Sequence, residues 1–176
     1  GGNVDALLLS VSSSGNVNWV KTYNEGPGIT TDRAFGITVD SDRRIYITGE
    51  TTSESQGKDY LILKYNPNGN RLWETVYNGT GNGDDYSNAI GITLNNKVVV
   101  TGASTGINQD LDYATVKLNK NNGNFNGVSR YSLSGNTNDI AKDLKVSNEN
   151  SIYVTGYSEL IIDNNSSSSA ISTLMI

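Results

Sequence analysis

The stretch Tyr60-Leu-Ile-Leu-Lys-Tyr65, Asn66-Pro-Asn-Gly-Asn70 and then Leu72 to Tyr77 decides the fold. Short runs of β-branched and aromatic residues, bounded by Asn, Asp and Gly, are typical of β-strands. Pro sets φ near about −65° and Gly accepts a positive φ, so the middle segment predicts a tight turn. The stretch therefore predicts a β-hairpin.

This hairpin belongs to a unit of about 54 residues that recurs three times, with a fourth copy beginning near Ala170. A Thr-Gly pair ends one strand of each unit, and a Tyr ends another. An internal repeat of this length indicates a fold that is built from repeated structural units. The landmarks are Tyr23, Tyr77 and Tyr131, the glycines Gly49, Gly102 and Gly156, and the pair Trp19 and Trp73.

Each unit predicts four strands, and no segment carries the apolar spacing of an amphipathic helix. The first strand is rich in small residues, which suit a crowded axis, and the fourth carries the large aromatics. We align the first strands as Ala34-Phe-Gly-Ile-Thr-Val39, Ala89-Ile-Gly-Ile-Thr-Leu94 and Ala141-Lys-Asp-Leu-Lys-Val146.

Four antiparallel strands in a repeat of about 40–50 residues are the signature of a β-propeller blade. We predict an all-β fold with about three and a half four-stranded blades. Residues 1–176 then form one β-propeller region, in which residues 1–33 are the outer two strands of a blade. Residues 34–83 and 84–139 are blades, and residues 140–176 are a partial blade.

Three and a fraction blades do not close a ring, since known propellers have four or more. The chain starts at Gly1 without an initiator Met and ends on the apolar run Leu174 to Ile176. We therefore expect a piece of a longer protein, or an assembly of several copies.

The third copy has Gly127 where the others have Trp, and Phe125 lies two residues earlier. Because strand side chains alternate with period two, we expect Phe125 to lie on the same face and to replace the missing Trp. Such a substitution is typical of a core position.

The segments Asp59 to Trp73, Asp84 to Leu94 and Val98 to Gly102 resemble the beta-propeller repeat called SBBP. This resemblance implies a secreted or surface-exposed bacterial or archaeal protein, in which such repeats accompany adhesive modules. It implies no single activity, because propellers support many functions.

Composition excludes several kinds of chemistry. The chain has no Cys and no His, which removes disulfides, zinc–thiolate sites and the commonest general base. Its net charge of −5 argues against a nucleic-acid surface. No stretch approaches the ~20 apolar residues of a membrane-spanning helix, so we expect no membrane insertion.

Acids recur just before each first strand: Asp32, Asp84 with Asp85, and Asp139. If these loops share one rim, the carboxylates would converge and could hold a cation such as Ca²⁺. The alternative, which we favour, is that they accept backbone amides in turns. We accordingly predict no metal and no cofactor.

No catalytic residue is assigned. Asp84-Asp85, or Glu50 with Glu54, would suit glycoside hydrolysis only at a carboxylate separation that the sequence does not give. The segment Gly69 to Trp73 is similar to the Trp-bearing repeats of quinoprotein dehydrogenases, but the matching active-site residues are missing. Acceptor sequences for N-glycosylation occur at Asn78, Asn164 and Asn165.

These observations favour a non-enzymatic extracellular or cell-surface propeller module, either a scaffold or a surface that binds protein or glycan. Two alternatives stay open. The chain would be a fragment of a larger secreted propeller enzyme, hydrolase or quinoprotein-like, whose active site uses other blades. Or copies would self-assemble through open blade faces and strand edges.

Overall fold

A computed structural model describes residues 4–24, 26, 30–52, 57–133, 137–163 and 166–175, with side chains as far as residue 159. Across these ranges there are thirteen strands and no helix. Accordingly, the described part of the chain has no helix suited to crossing a membrane. The strands are β1 (Ala6–Val11), β2 (Val17–Tyr23), β3 (Arg33–Val39), β4 (Ile45–Thr52), β5 (Lys58–Tyr65), β6 (Arg71–Tyr77), β7 (Asp85–Ile92), β8 (Lys97–Thr105), β9 (Leu111–Asn119), β10 (Phe125–Tyr131), β11 (Asp139–Val146), β12 (Ile152–Asp163) and β13 (Ser166–Met175).

The strands form four antiparallel sheets, which are the blades of an incomplete β-propeller. Blade 1 is β1-β2, blade 2 is β3-β4-β5-β6, blade 3 is β7-β8-β9-β10, and blade 4 is β11-β12-β13. The prediction of an all-β partial propeller is confirmed. We call the side of a blade that faces its successor the forward face, and the opposite side the backward face.

Each pair of neighbouring blades shares one apolar core, because strands alternate their side chains between the two faces. Between blades 2 and 3, Tyr60 and Ile62 on the forward face pack against Val98, Val116 and Leu118 on the backward face. The same arrangement recurs between blades 1 and 2 and between blades 3 and 4. Each blade thus shelters the apolar side of the next, as in other repeat proteins.

The first strands of blades 2 and 3 align differently from the sequence prediction. Ala34 pairs with Gly49, but the residue that pairs with Gly102 is Ser87, so Gly36 corresponds to Ala89. The predicted match of Ala34 with Ala89 is wrong by two residues. Gly36, Ala89 and Gly91 nevertheless lie on the forward face, since a Cβ on Gly36 would meet Ala89 of blade 3 and one on Gly91 would meet Leu144 of blade 4.

The recurring Thr-Gly pair has a backbone cause. Each first strand has a β-bulge opposite this glycine. In blade 2 the bulge lies between Ala34, which pairs with Gly49, and Gly36, which pairs with Thr48. A Cβ on Gly49 would overlap the carbonyl oxygen of Arg33. The bulge, rather than a positive φ, therefore excludes larger residues at this position.

The prediction for Phe125 is wrong for a similar reason. A bulge separates Phe125 from Gly127, which pair with the adjacent residues Leu118 and Lys117. The Phe125 side chain therefore points to the face opposite the one that a side chain at position 127 would occupy. Phe125 packs against Tyr77 of the preceding blade, with ring centroids 6.0 Å apart, and does not replace a Trp.

The two tryptophans connect neighbouring blades at the lower rim. We define the lower rim as the end of each blade that carries the turn between the first and second strands and the turn between the third and fourth strands. The indole nitrogen of Trp73 donates to the carbonyl of Lys120 in the next blade at 3.2 Å. Trp19 donates to the carbonyl of Pro67 in the same way. Beside Trp73, the buried ammonium of Lys64 also donates to Lys120 O, at 2.6 Å. The aromatic residues thus act as inter-blade contacts.

Candidate functional site

The predicted rim acids lie at the upper rim, the end that carries the connections from one blade to the next. Asp85 is fully buried at the start of β7. Its Oδ2 accepts the amide of Gly79 at 2.6 Å, and its Oδ1 accepts the amide of Thr105 at 2.8 Å. Burial raises the pKa of Asp85, although these amides and the Ser104 hydroxyl oppose the increase. This carboxylate ties the connection after β6 to β7 and β8.

Asp139 and Asp32 occupy equivalent buried positions. Asp139 Oδ2 accepts the amide of Leu133 at 2.9 Å, and Leu133 is the counterpart of Gly79. Asp32 Oδ1 accepts the hydroxyl of Thr51 at 2.5 Å. Asp84 is exposed instead, and its Oδ1 accepts the amide of Lys58.

The buried aspartates therefore hold connections in place, each within its own part of the rim. The described residues contain no group of three or more acidic, His or Cys side chains placed to hold a metal ion. The geometry thus favours the second of the two interpretations of these acids, in which they satisfy backbone amides and hydroxyls.

Glu50 is a buried acid on β4. Its Oε1 lies 2.6 Å from Nη1 of Arg33, and its Oε2 lies 3.2 Å from Nζ of Lys58. Both carboxylate oxygens are therefore paired with cations. Glu54, its suggested partner, lies outside the described residues.

A contiguous surface extends from this ion pair across three blades. Lys58 lies over the ring of Tyr86 in blade 3, with Nζ 6.0 Å from the centroid. In blade 4, Lys142 lies over the ring of Tyr157 at 5.5 Å. Burial and the nearby Tyr157 raise the pKa of Tyr86 to about 12. Its hydroxyl is a hydrogen-bond donor at neutral pH, as it would be at the ordinary pKa of a tyrosine. We call Arg33, Lys58, Tyr86, Lys142 and Tyr157 the axial patch.

Sequence reasoning missed the axial patch. Two positions of the repeat supply three of its five members: Arg33 and Tyr86 are equivalent on the first strand, and Tyr157 on the second strand is equivalent to Glu50. The residue type at these positions differs from one repeat to the next, whereas the neighbouring glycines recur. The fold therefore does not require a particular side chain at these positions. A position-by-position comparison of the repeats would have located them.

One of the three predicted glycosylation positions lies within the described residues. Asn78 is exposed on the connection between β6 and β7. Asn164 and Asn165 lie outside the described residues.

Comparison with protein families supports the fold. Residues 21–55 match the family model of the SBBP beta-propeller repeat, from β2 to just beyond β4. Residues 41–71 match a second family model, a domain of unknown function (DUF5122) beta-propeller. Among curated proteins, none matches the chain. The resemblance to the SBBP repeat is thus confirmed, and the matched segment runs from the last strand of blade 1 to the second strand of blade 2.

Proposed function

We propose that this chain is a non-enzymatic, extracellular β-propeller module, a rigid scaffold that presents the axial patch to a glycan or a protein partner at the cell surface. The observation that carries the proposal is the patch itself. It places two tyrosine rings and three cations on one surface, and its neighbouring carboxylate, Glu50, is already paired with Arg33 and Lys58.

This chemistry suits recognition better than catalysis. Aromatic faces stack on sugar rings or apolar side chains, and tyrosine hydroxyls and cations donate hydrogen bonds to hydroxyls and carboxylates. General acid–base catalysis needs a titratable group that reaches the substrate. Asp32, Asp85 and Asp139 are fully buried, each accepts at least one structural hydrogen bond, and Glu50 is paired on both oxygens.

The proposal is tested by a glycan array and by pull-down from intact cells. Lys142→Ala removes an exposed cation of the patch, and Lys97→Ala is the matched control, since Lys97 bonds to Asn126 at the lower rim. We expect binding to fall with Lys142→Ala and to persist with Lys97→Ala.

Equal binding by both variants would remove the axial patch from the interaction. No binding in either assay, together with measurable turnover of a glycoside or an alcohol substrate, would favour the fragment of a larger propeller enzyme instead.

A further inference from the structure

A polar hollow lies between the last strand of blade 1 and the last hairpin of blade 2. It has a volume of about 390 Å³, within the range of about 300–1,000 Å³ that is usual for ligand sites. One wall is the end of β2, and the other is the turn from β5 to β6 with the start of β6. We call this hollow, whose lining includes Lys21, Tyr23, Asn24, Tyr65, Asn70 and Arg71, the lateral hollow.

Arg71 is held in one orientation by two contacts. Its Nη1 donates to Oε2 of Glu74 at 2.7 Å, and its Cζ lies 5.3 Å from the ring centroid of Tyr23. The hydroxyl of Tyr23 donates to the other oxygen of Glu74 at 2.8 Å, so this carboxylate is occupied on both oxygens. A guanidinium has more N–H donors than one such ion pair uses. Because the side chain of Arg71 is 47% exposed, donors remain for a ligand.

Lys21 is a cation without an anionic partner. Its stem lies beside the turn from β5 to β6, since a Cβ on Gly69 would be 3.0 Å from Cε of Lys21. Within the described ranges, the Lys21 ammonium has no hydrogen bond and no ion pair. By contrast, the ammonium groups of Lys58, Lys64 and Lys120 all contact protein oxygens. The Lys21 ammonium is therefore available to a negatively charged ligand.

Comparison of the repeats indicates that the fold does not require these two cations. By strand pairing, Arg71 is the counterpart of Phe125, and Lys21 is the counterpart of Thr75. Between blades 2 and 3, Phe125 packs against Tyr77, and the Thr75 hydroxyl donates to a backbone carbonyl of blade 3 at 2.9 Å. Internal contacts thus occupy both positions at that interface. Between blades 1 and 2, the same two positions bring two positive charges to one hollow, on a chain whose net charge is −5.

We propose that the lateral hollow binds the carboxylate of an acidic sugar, a uronic acid residue of a polysaccharide. The planar guanidinium of Arg71 matches a carboxylate with two parallel N–H donors, and the ammonium of Lys21 adds a second positive charge. Asn70 is exposed at the end of the turn, and its side-chain amide both donates and accepts, as sugar hydroxyls do. This site goes beyond the proposed function, because it shares no residue with the axial patch.

The test is isothermal titration calorimetry with a galacturonic acid trisaccharide. The comparison ligands are its methyl ester, which keeps the hydroxyls but not the charge, a sulfated galactose trisaccharide and a triglutamate peptide. We expect the free acid to bind and its affinity to decrease with added salt. The methyl ester is expected to bind about tenfold more weakly or less, because it loses the charge-assisted hydrogen bonds.

Two substitutions introduce the residues that the repeat has between blades 2 and 3. Lys21→Thr and Arg71→Phe are each expected to lower the affinity for the trisaccharide by about tenfold or more. Arg71→Lys keeps the charge but not the two parallel donors, so it should weaken binding as well. The matched control is Lys97→Thr, which removes one charge from the exposed Lys97–Asn126 pair and should change the affinity by less than about twofold. Circular dichroism establishes that each variant is folded, and Lys21→Thr decides if Arg71→Phe is not.

Failure of the trisaccharide to bind at millimolar concentration would overturn the proposal, and so would equal affinity in the parent chain and Lys21→Thr. Tighter binding of the sulfated sugar or of the peptide would overturn the assigned ligand class. If Lys142→Ala abolished binding while Lys21→Thr did not, the sugar would be bound at the axial patch. The proposed function would then stand and the lateral hollow would be overturned, so the two failures are distinguishable.

Discussion

Replacing Asp85 by Asn tests whether the role of this carboxylate is structural or catalytic. Both oxygens of Asp85 accept backbone amides, from Gly79 and from Thr105. The Asn side chain keeps one acceptor oxygen, but its amide nitrogen has no lone pair and faces a backbone N–H. One amide is therefore left buried and unpaired, which costs about 1–3 kcal/mol.

Removal of a buried charge offsets part of this cost, since burial raises the pKa of Asp85. The expected net loss at neutral pH is about 1–2 kcal/mol, or roughly 2–8 °C in melting temperature for a chain of this size. Urea unfolding followed by tryptophan fluorescence measures the free energy, and circular dichroism measures the melting temperature.

The difference in unfolding free energy between the parent chain and Asp85→Asn is expected to depend on pH, and the pKa shift of Asp85 gives the direction. Because the pKa of Asp85 is raised above 3.8, the native state binds this proton more tightly than the unfolded chain does. The stability that Asp85 contributes is then full below pH 3.8 and decreases as the pH rises through the raised pKa. A protonated carboxyl still accepts at both oxygens, unlike an amide, so the advantage over Asn is expected to be largest in acid.

Asp84→Asn is the control, because Asp84 is exposed and an amide oxygen still accepts the Lys58 amide. Its effect should stay within about 0.5 kcal/mol. If the free energy of unfolding of Asp85→Asn equals that of the parent chain from below pH 3.8 to neutral pH, the structural role assigned to the buried rim acids is refuted.

The packing between blades and strands leads to three further predictions. Trp73→Phe loses the indole bond to Lys120 and should destabilise the chain by about 1–2 kcal/mol in urea unfolding, whereas Val17→Ala, on an exposed strand position, should change little. Gly49→Ala places a Cβ on the carbonyl of Arg33 and should cost at least about 2 kcal/mol in melting experiments; Gly26→Ala, with open space around it, should be near neutral. Burial by itself raises the pKa of Asp40, but the amides of Arg44 and Asp42, the Tyr46 hydroxyl and Lys120 outweigh it and hold that pKa below 3.8. Asp40 therefore stabilises the fold above pH 3.8 and loses this contribution as the pH falls through its lowered pKa, so the free-energy difference from Asp40→Asn should shrink in an acid titration.

Local chemistry was sufficient to predict the strands and their order. Turn segments such as Asn66 to Asn70 specify hairpins through Pro, Asn and Gly, and their recurrence at about 54 residues specifies repeated blades. These signals lie within a few residues of the structure they determine, so they can be read without knowledge of the rest of the chain.

Tertiary structure decided which face each side chain occupies and what each polar group contacts. The bulge before Gly127 turns Phe125 toward the preceding blade, and a one-residue change in register reverses every later side chain. Likewise, Asp85 reaches Thr105 only when β7 and β8 pair, and Lys58 reaches Tyr86 only when blades 2 and 3 come together. Such contacts depend on how sheets pack against one another, and that packing minimises the free energy of the whole stack rather than of any single segment.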